Sequence, residues 1–173
     1  MKSLITLALL PILFSCTEFR FTEPVPQDGK VLKAIPKSFH GIYADEEGDT
    51  LRVFSNYYSL YMGEEIGTIQ DTINDSADER VLSDGTHIFV NLMSDDNTWS
   101  CYVGKLTKEG IDILFFSAEE IGLREMNNIA RYNAVLDEDE EVAYYLIRVT
   151  DEQFKGMLAS PIMEPLLSLK RVK

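Results

Sequence analysis

Catalysis by side chains needs a nucleophile, a base or a metal brought within reach of one another, and this sequence has few candidates. Ser38 and His40 stand two apart, a spacing that on a strand puts both on one face. No Gly-x-Ser-x-Gly context or strand-to-helix elbow accompanies them, so they carry no nucleophile signal. Cys101 and His87 lie in neighbouring predicted strands, where a thiolate pair could form across the two. Cys101 alternates with Trp99 and Val103, however, and a thiol on an apolar face behaves as a small hydrophobe. Two histidines in the whole chain exclude a His-rich metal site. The clusters Asp45-Glu46-Glu47-Gly48-Asp49 and 137–141 lack the alternate acidic spacing and distal Glu of a calcium loop, and are read as solvated turns. A Gly-rich phosphate loop, HExxH and Cys-x-x-Cys are all missing from the sequence. The expectation is a non-enzyme with no catalytic residues, no metal and no cofactor.

Aromatic residues are the one mild surplus. Tyr57, Tyr58 and Tyr61 lie together, and Tyr144 adjoins Tyr145. Neighbours on a strand point to opposite faces, so one of each pair is expected to reach solvent. Exposed tyrosines suit carbohydrate or protein contact, which makes Tyr57, Tyr58, Tyr61 and Tyr144 the candidate binding surface. Cross-strand packing on a sheet is the competing reading.

The chain of 173 residues is 45% hydrophobic and 26% charged, the composition of one globular domain. Lys and Arg number 16 against 29 Asp and Glu, a net charge of −13. Phosphate backbones would repel such a chain, so nucleic acid is excluded as a partner.

The front of the chain reads as an address. Lys2 gives a short positive region, and residues 4–14 are apolar apart from Thr6, too short to span a bilayer but right for a signal segment. It ends in Leu13-Phe14-Ser15-Cys16, which resembles the lipobox of bacterial lipoproteins: Leu13, Ser15 and Cys16 match, while Phe14 is bulkier than usual at its place. The resemblance implies removal of residues 1–15 and acyl chains on Cys16. It implies lipid anchoring as well, with Thr17 favouring the outer membrane, the domain facing the periplasm or the cell surface. An ordinary secretory signal is the alternative. Pro24, Pro26 and Pro36 make residues 16–37 an expected anchor and tether, although Phe19 and Phe21 argue that part of it docks. Residues 38–173 form the β-domain.

What must position the tyrosines is a run of strands. Residues 86–92, 98–106 and 111–116 alternate between turn-rich breaks, an antiparallel meander, with earlier candidates at 39–44, 50–54, 57–62 and 66–72. Residues 129–136 and 142–149 read as a further hairpin, and Asp71, Asp75, Asp78 and Glu79 as a polar loop. One helix is expected at 150–159, because Thr150-Asp151-Glu152-Gln153 fits a capping box and Phe154, Met157 and Leu158 form an apolar stripe. A last strand over 166–172 follows. The expected class is all-β, the meander closing or nearly closing into a barrel to remove its edges.

This order, with Phe39-His40-Gly41-Ile42-Tyr43 at the first strand, resembles the lipocalin pattern. Tyr43 stands where that family carries tryptophan, and no residue here is assigned to the family's C-terminal arginine. The chain is also similar to small β-rich bacterial lipoproteins to which no activity is attached. Two functions follow as expectations. The first is a tethered interaction or structural module contacting an envelope protein or glycan. The second is a lipocalin-like carrier of a small apolar ligand. Bulky inward candidates such as Trp99, Ile113, Leu136 and Tyr145 predict a mostly filled interior, with at most a shallow pocket beside Ala130, Ala134 and Ala143.

Overall fold

The structure is a computed structural model that describes residues 17–63, 67–73 and 78–172; the expected signal segment and Cys16 lie outside them. Strands β1 (Phe19–Phe21), β2 (Lys30–Val31), β3 (Gly41–Ala44), β4 (Thr50–Val53), β5 (Tyr57–Met62) and β6 (Gly67–Thr72) come first. They are followed by β7 (Glu79–Ser83), β8 (His87–Met93), β9 (Trp99–Leu106) and β10 (Gly110–Phe116). Helix α1 (Glu120–Ile129), strands β11 (Tyr132–Leu136) and β12 (Val142–Ile147), helix α2 (Asp151–Leu158) and strand β13 (Met163–Arg171) complete the chain.

All strands join one sheet, mostly antiparallel. Two meanders, β3–β4–β5–β6 and β7–β8–β9–β10, are bridged by β13, which pairs with β10 on one side and β3 on the other. The strands expected over 86–92, 98–106 and 111–116 are adjacent as the alternation required. Closure is not reached. Among the described residues β6 pairs with β5, and β7 with β2 and β8.

Two apolar clusters lie on opposite faces of the central strands, whose alternate residues are buried to either side. Leu82, Phe89, Trp99, Cys101 and Val103 join a cluster with Phe154 and Met157 of α2 and Met126 of α1. Val81, Ile88 and Ile111 face the other way, with Tyr43, Leu51, Val53 and Leu169. Tyr58, Leu60, Val90, Leu106, Ile113 and Leu167 pack against this second group. Helix α2 carries the expected capping box: Gln153 N donates to Thr150 Oγ1 and Thr150 N to Gln153 Oε1.

Several expectations are corrected. The described residues form two α-helices where one was expected: α1 takes Ile129 from the predicted strand, and its N-cap, Glu119, makes no side-chain capping hydrogen bond. Gly122 is required there, since a methyl group would collide with the Ser117 carbonyl. The polar loop expected around Asp71 and Glu79 contributes strand residues at both ends, Asp71 to β6 and Glu79 to β7, while Asp75 lies outside the described residues. The closing strand starts earlier, at Met163, and carries a bulge: Ile113 pairs with Leu167 but Leu114 with Pro165, leaving Leu166 as the extra residue. Leu136 is 55% exposed, and Ala134 and Ala143 are exposed too, so their hairpin is an open sheet edge and these residues do not face the interior.

The largest correction concerns the tether. Strand β1 lies inside the sheet, parallel to β12 and antiparallel to β9, with Phe19 and Phe21 both 1% exposed. Asn91, itself fully buried, accepts from Val25 N at 2.9 Å and donates to Val25 O at 3.0 Å. The Asp151 carboxylate accepts from the amides of Gln27 and Asp28. Proline spacing argued for extended chain, and the chain is extended, but as a sheet component. Two buried phenylalanines outweigh the absence of a regular pattern.

Candidate functional site

Strands β4, β5 and β6 are short and alternate apolar with polar residues, so one face must be buried and the other wet. The register settles which side each residue takes. Leu51 pairs with Leu60 and Val53 with Tyr58, all on the side of the second apolar cluster. The outward positions pair Thr50 with Tyr61 and Arg52 with Ser59. On the next strand Ser59 pairs with Gln70, Tyr61 with Thr68 and Tyr57 with Thr72. Thr50, Arg52, Ser59, Tyr61, Thr68 and Gln70 line a shallow cleft of about 330 Å³ on this face.

Two of the four predicted surface tyrosines lie on this face, Tyr61 lining the cleft and Tyr57 beyond it. Tyr57 is 39% and Tyr61 37% exposed, and Phe54 stacks on Tyr57 with ring centroids 4.5 Å apart. Tyr58 takes the opposite face and packs against the core, as its odd place in the alternation requires. Arg52 was not singled out from the sequence, although its polar place between Leu51 and Val53 was the available signal. It is exposed, and makes no hydrogen bond or ion pair among the described residues.

Tyr144 does not join this face and is not a surface residue, being 8% exposed. Its hydroxyl donates to Asp96 Oδ2 at 2.6 Å, and the Arg20 guanidinium covers its ring at 4.4 Å. Thr98 Oγ1 donates to the other Asp96 oxygen at 2.6 Å, and Arg20 Nε to Glu18 Oε1 at 2.7 Å. Hydrogen bonds from Thr98 and Tyr144 hold the Asp96 carboxyl down at about 2. Burial, with the Asp96 charge, pushes the Tyr144 phenol up. The network fastens β1 to its neighbours; every polar group in it is engaged by another.

The remaining candidate chemistry is dispersed. Cys101 pairs with Asn91 and His87 with Lys105, so no thiolate pair forms, and burial pushes the Cys101 thiol far up. His40 Nε2 contacts the Ile35 carbonyl, while Ser38 lies in the 3-10 turn Lys37–Phe39 and its carbonyl accepts from Arg171. In the first acidic loop Asp45 Oδ1 accepts from the amides of Glu47, Gly48 and Asp49. In the second, Asp137 Oδ1 accepts from Asp139 and Glu141. Each loop spends a carboxylate on its own turn. No acidic, histidine or cysteine cluster among the described residues is arranged to hold a metal ion.

A further contact was not assigned from the sequence. Arg171, at the end of β13, lies over the Tyr43 ring at 5.2 Å and donates to its hydroxyl at 2.6 Å. Tyr43 in turn donates to the Phe39 carbonyl at 2.7 Å. The first strand of the meander is thereby tied to the last residue of the closing strand. No helix among the described residues is long and apolar enough to cross a membrane. No family model, no curated protein and no solved structure matches this chain.

Proposed function

We propose that this chain is an outer-membrane lipoprotein, acylated on Cys16, whose domain is a non-catalytic interaction module using the outward face of β4, β5 and β6. The observation that carries the reading is the contrast between faces. Tyr57, Tyr61 and Arg52 are presented to solvent, whereas Cys101, Tyr144 and the histidines are buried or engaged. We read the sheet as a nearly closed barrel open between β6 and the edge formed by β2 on β7, with Tyr43, Leu51, Val81, Ile88, Ile111 and Leu169 facing inward. The Arg171–Tyr43 contact supports the lipocalin resemblance in architecture. The carrier function draws less support, because the inward residues fill the space and the cleft on β4–β6 lies outside them.

Anchoring has a structural corollary. The carbonyl of Thr17 accepts from Ala118 N at 2.8 Å, and Glu18 bridges Ser117, so the residues that follow Cys16 are already bonded into the domain. Acyl chains there would hold the domain directly against the bilayer, with no leash between. Labelling cells with radioactive palmitate tests the anchor: the natural chain takes up label and Cys16→Ser does not, and equal labelling of both overturns it. A photo-crosslinking residue at position 61 tests the module. It should capture an envelope component that the same probe at Ser168 does not, and identical outcomes at the two positions overturn the assigned face.

A further inference from the structure

The outward face of β4–β6 is unusual for this molecule in its charge. The chain carries −13 overall, yet the outward positions Thr50, Arg52, Tyr57, Ser59, Tyr61, Thr68, Gln70 and Thr72 include one arginine and no carboxylate. Arg52 sits centrally, paired across the strands with Ser59. It makes no ion pair among the described residues, whereas Arg20, Arg148 and Lys155 each hold a carboxylate. An unpaired guanidinium offers a planar fork of donors matched to a carboxylate, more specifically than an ammonium would.

The surroundings narrow the ligand. Around Arg52 lie hydroxyls and one amide, able both to donate and to accept, and no aliphatic patch of the kind that centres a protein interface. Tyr57 and Tyr61 are on the same face of one strand, roughly 13 Å apart at the strand rise, with Phe54 stacked beside Tyr57. Flat aromatic rings at both ends suit the C–H faces of sugars, and the hydroxyl-rich middle suits their O–H groups. The spacing accommodates a short run of sugar units.

From this we infer that the ligand of the β4–β6 face is an acidic saccharide, its rings stacking on Tyr61 and on the Tyr57–Phe54 pair and its carboxylate held by Arg52. The inference rests on the interaction-module reading and names its ligand class. No bond is made or broken.

The test uses the full acylated chain in detergent micelles and a set of uronic-acid oligosaccharides, each compared by calorimetry with its carboxyl-reduced neutral counterpart. The acidic member should bind about tenfold more tightly than the neutral one, the effect of one charge-assisted hydrogen-bonded pair. Arg52→Gln should remove that preference while leaving residual binding. Tyr61→Ala should weaken acidic and neutral forms alike. Arg52 and Tyr61 are exposed, so unchanged melting temperatures check that both variants fold. If no acidic oligosaccharide binds better than its reduced form, the inference is overturned. If position 61 nevertheless captures a protein in cells, the module reading stands without it; if position 61 captures nothing, both fall.

Discussion

Replacing Phe21 by Ala asks whether the chain just after Cys16 is a leash or a part of the fold, and the two answers differ in size. Phe21 is 1% exposed, pairs in register with Ile147 and Trp99, and meets the rings of Phe116 and Phe154 at 5.3 Å and 5.9 Å. Deleting a fully buried ring removes its transfer energy and leaves a cavity that rigid neighbours do not close, about 3–5 kcal/mol for Phe→Ala. Two edge-to-face contacts, about 0.5–1.5 kcal/mol each, place Phe21 toward the upper half of that range. A residue in a solvated tether would cost less than about 0.5 kcal/mol. The measurement is urea unfolding followed by circular dichroism on the mature chain carrying Cys16→Ser, with and without Phe21→Ala. For a domain of this size the loss corresponds to a drop of roughly 6–20 °C in melting temperature. A change below about 0.5 kcal/mol, with the transition slope unaltered, would refute the placement of β1 inside the sheet.

Other outcomes follow from the same packing. Trp99 is 8% exposed among Phe21, Cys101 and Met93, and Trp99→Ala should lose about 3–5 kcal/mol in the same unfolding measurement. The Asp96 carboxyl, held at about 2 against an ordinary 3.8 by Thr98 and Tyr144, contributes stability that is present above pH 3.8 and lost as pH falls toward 2. Asp96→Asn should therefore flatten the acid limb of a stability-against-pH curve in that window, by less than about 1 kcal/mol because the side chain is partly exposed. The Cys101 thiol, fully enclosed and pushed up by burial, should resist iodoacetamide at pH 8 until urea unfolds the chain; rapid alkylation of the folded protein would contradict its burial.

Features governed by near neighbours in sequence were readable without the fold. The capping box of α2 is set by residues three apart, and Thr150 with Gln153 forms it as expected. The meander of β8, β9 and β10 follows from alternation and turn residues, and its pairing agrees. Helix α1 was missed for the same physical reason in reverse. Its sequence Glu-Ile-Gly-Leu-Arg-Glu-Met-Asn-Asn-Ile carries an interior glycine and two asparagines, poor helix formers, and its start has no side-chain cap. It is held by burial of Met126 and by the close approach that Gly122 permits.

Single sites divide along the same line. Strand geometry alone decides which residues share a face, and it sets Tyr57 with Tyr61 and Tyr58 opposite, although the candidate surface drawn from the sequence included all three. What it could not decide was which of two apolar-looking faces stays wet. Tyr144 is as polar and as aromatic as Tyr61, yet Arg20, brought from far along the chain by β1, covers it and Asp96 takes its hydroxyl. Charge, the lipobox-like ending and the local turns were properties of the chain itself. The place of β1 between β9 and β12, the clasp of Arg171 on Tyr43 and the solvent-facing Arg52 depend on contacts between residues distant in sequence, and those exist only once the sheet is assembled.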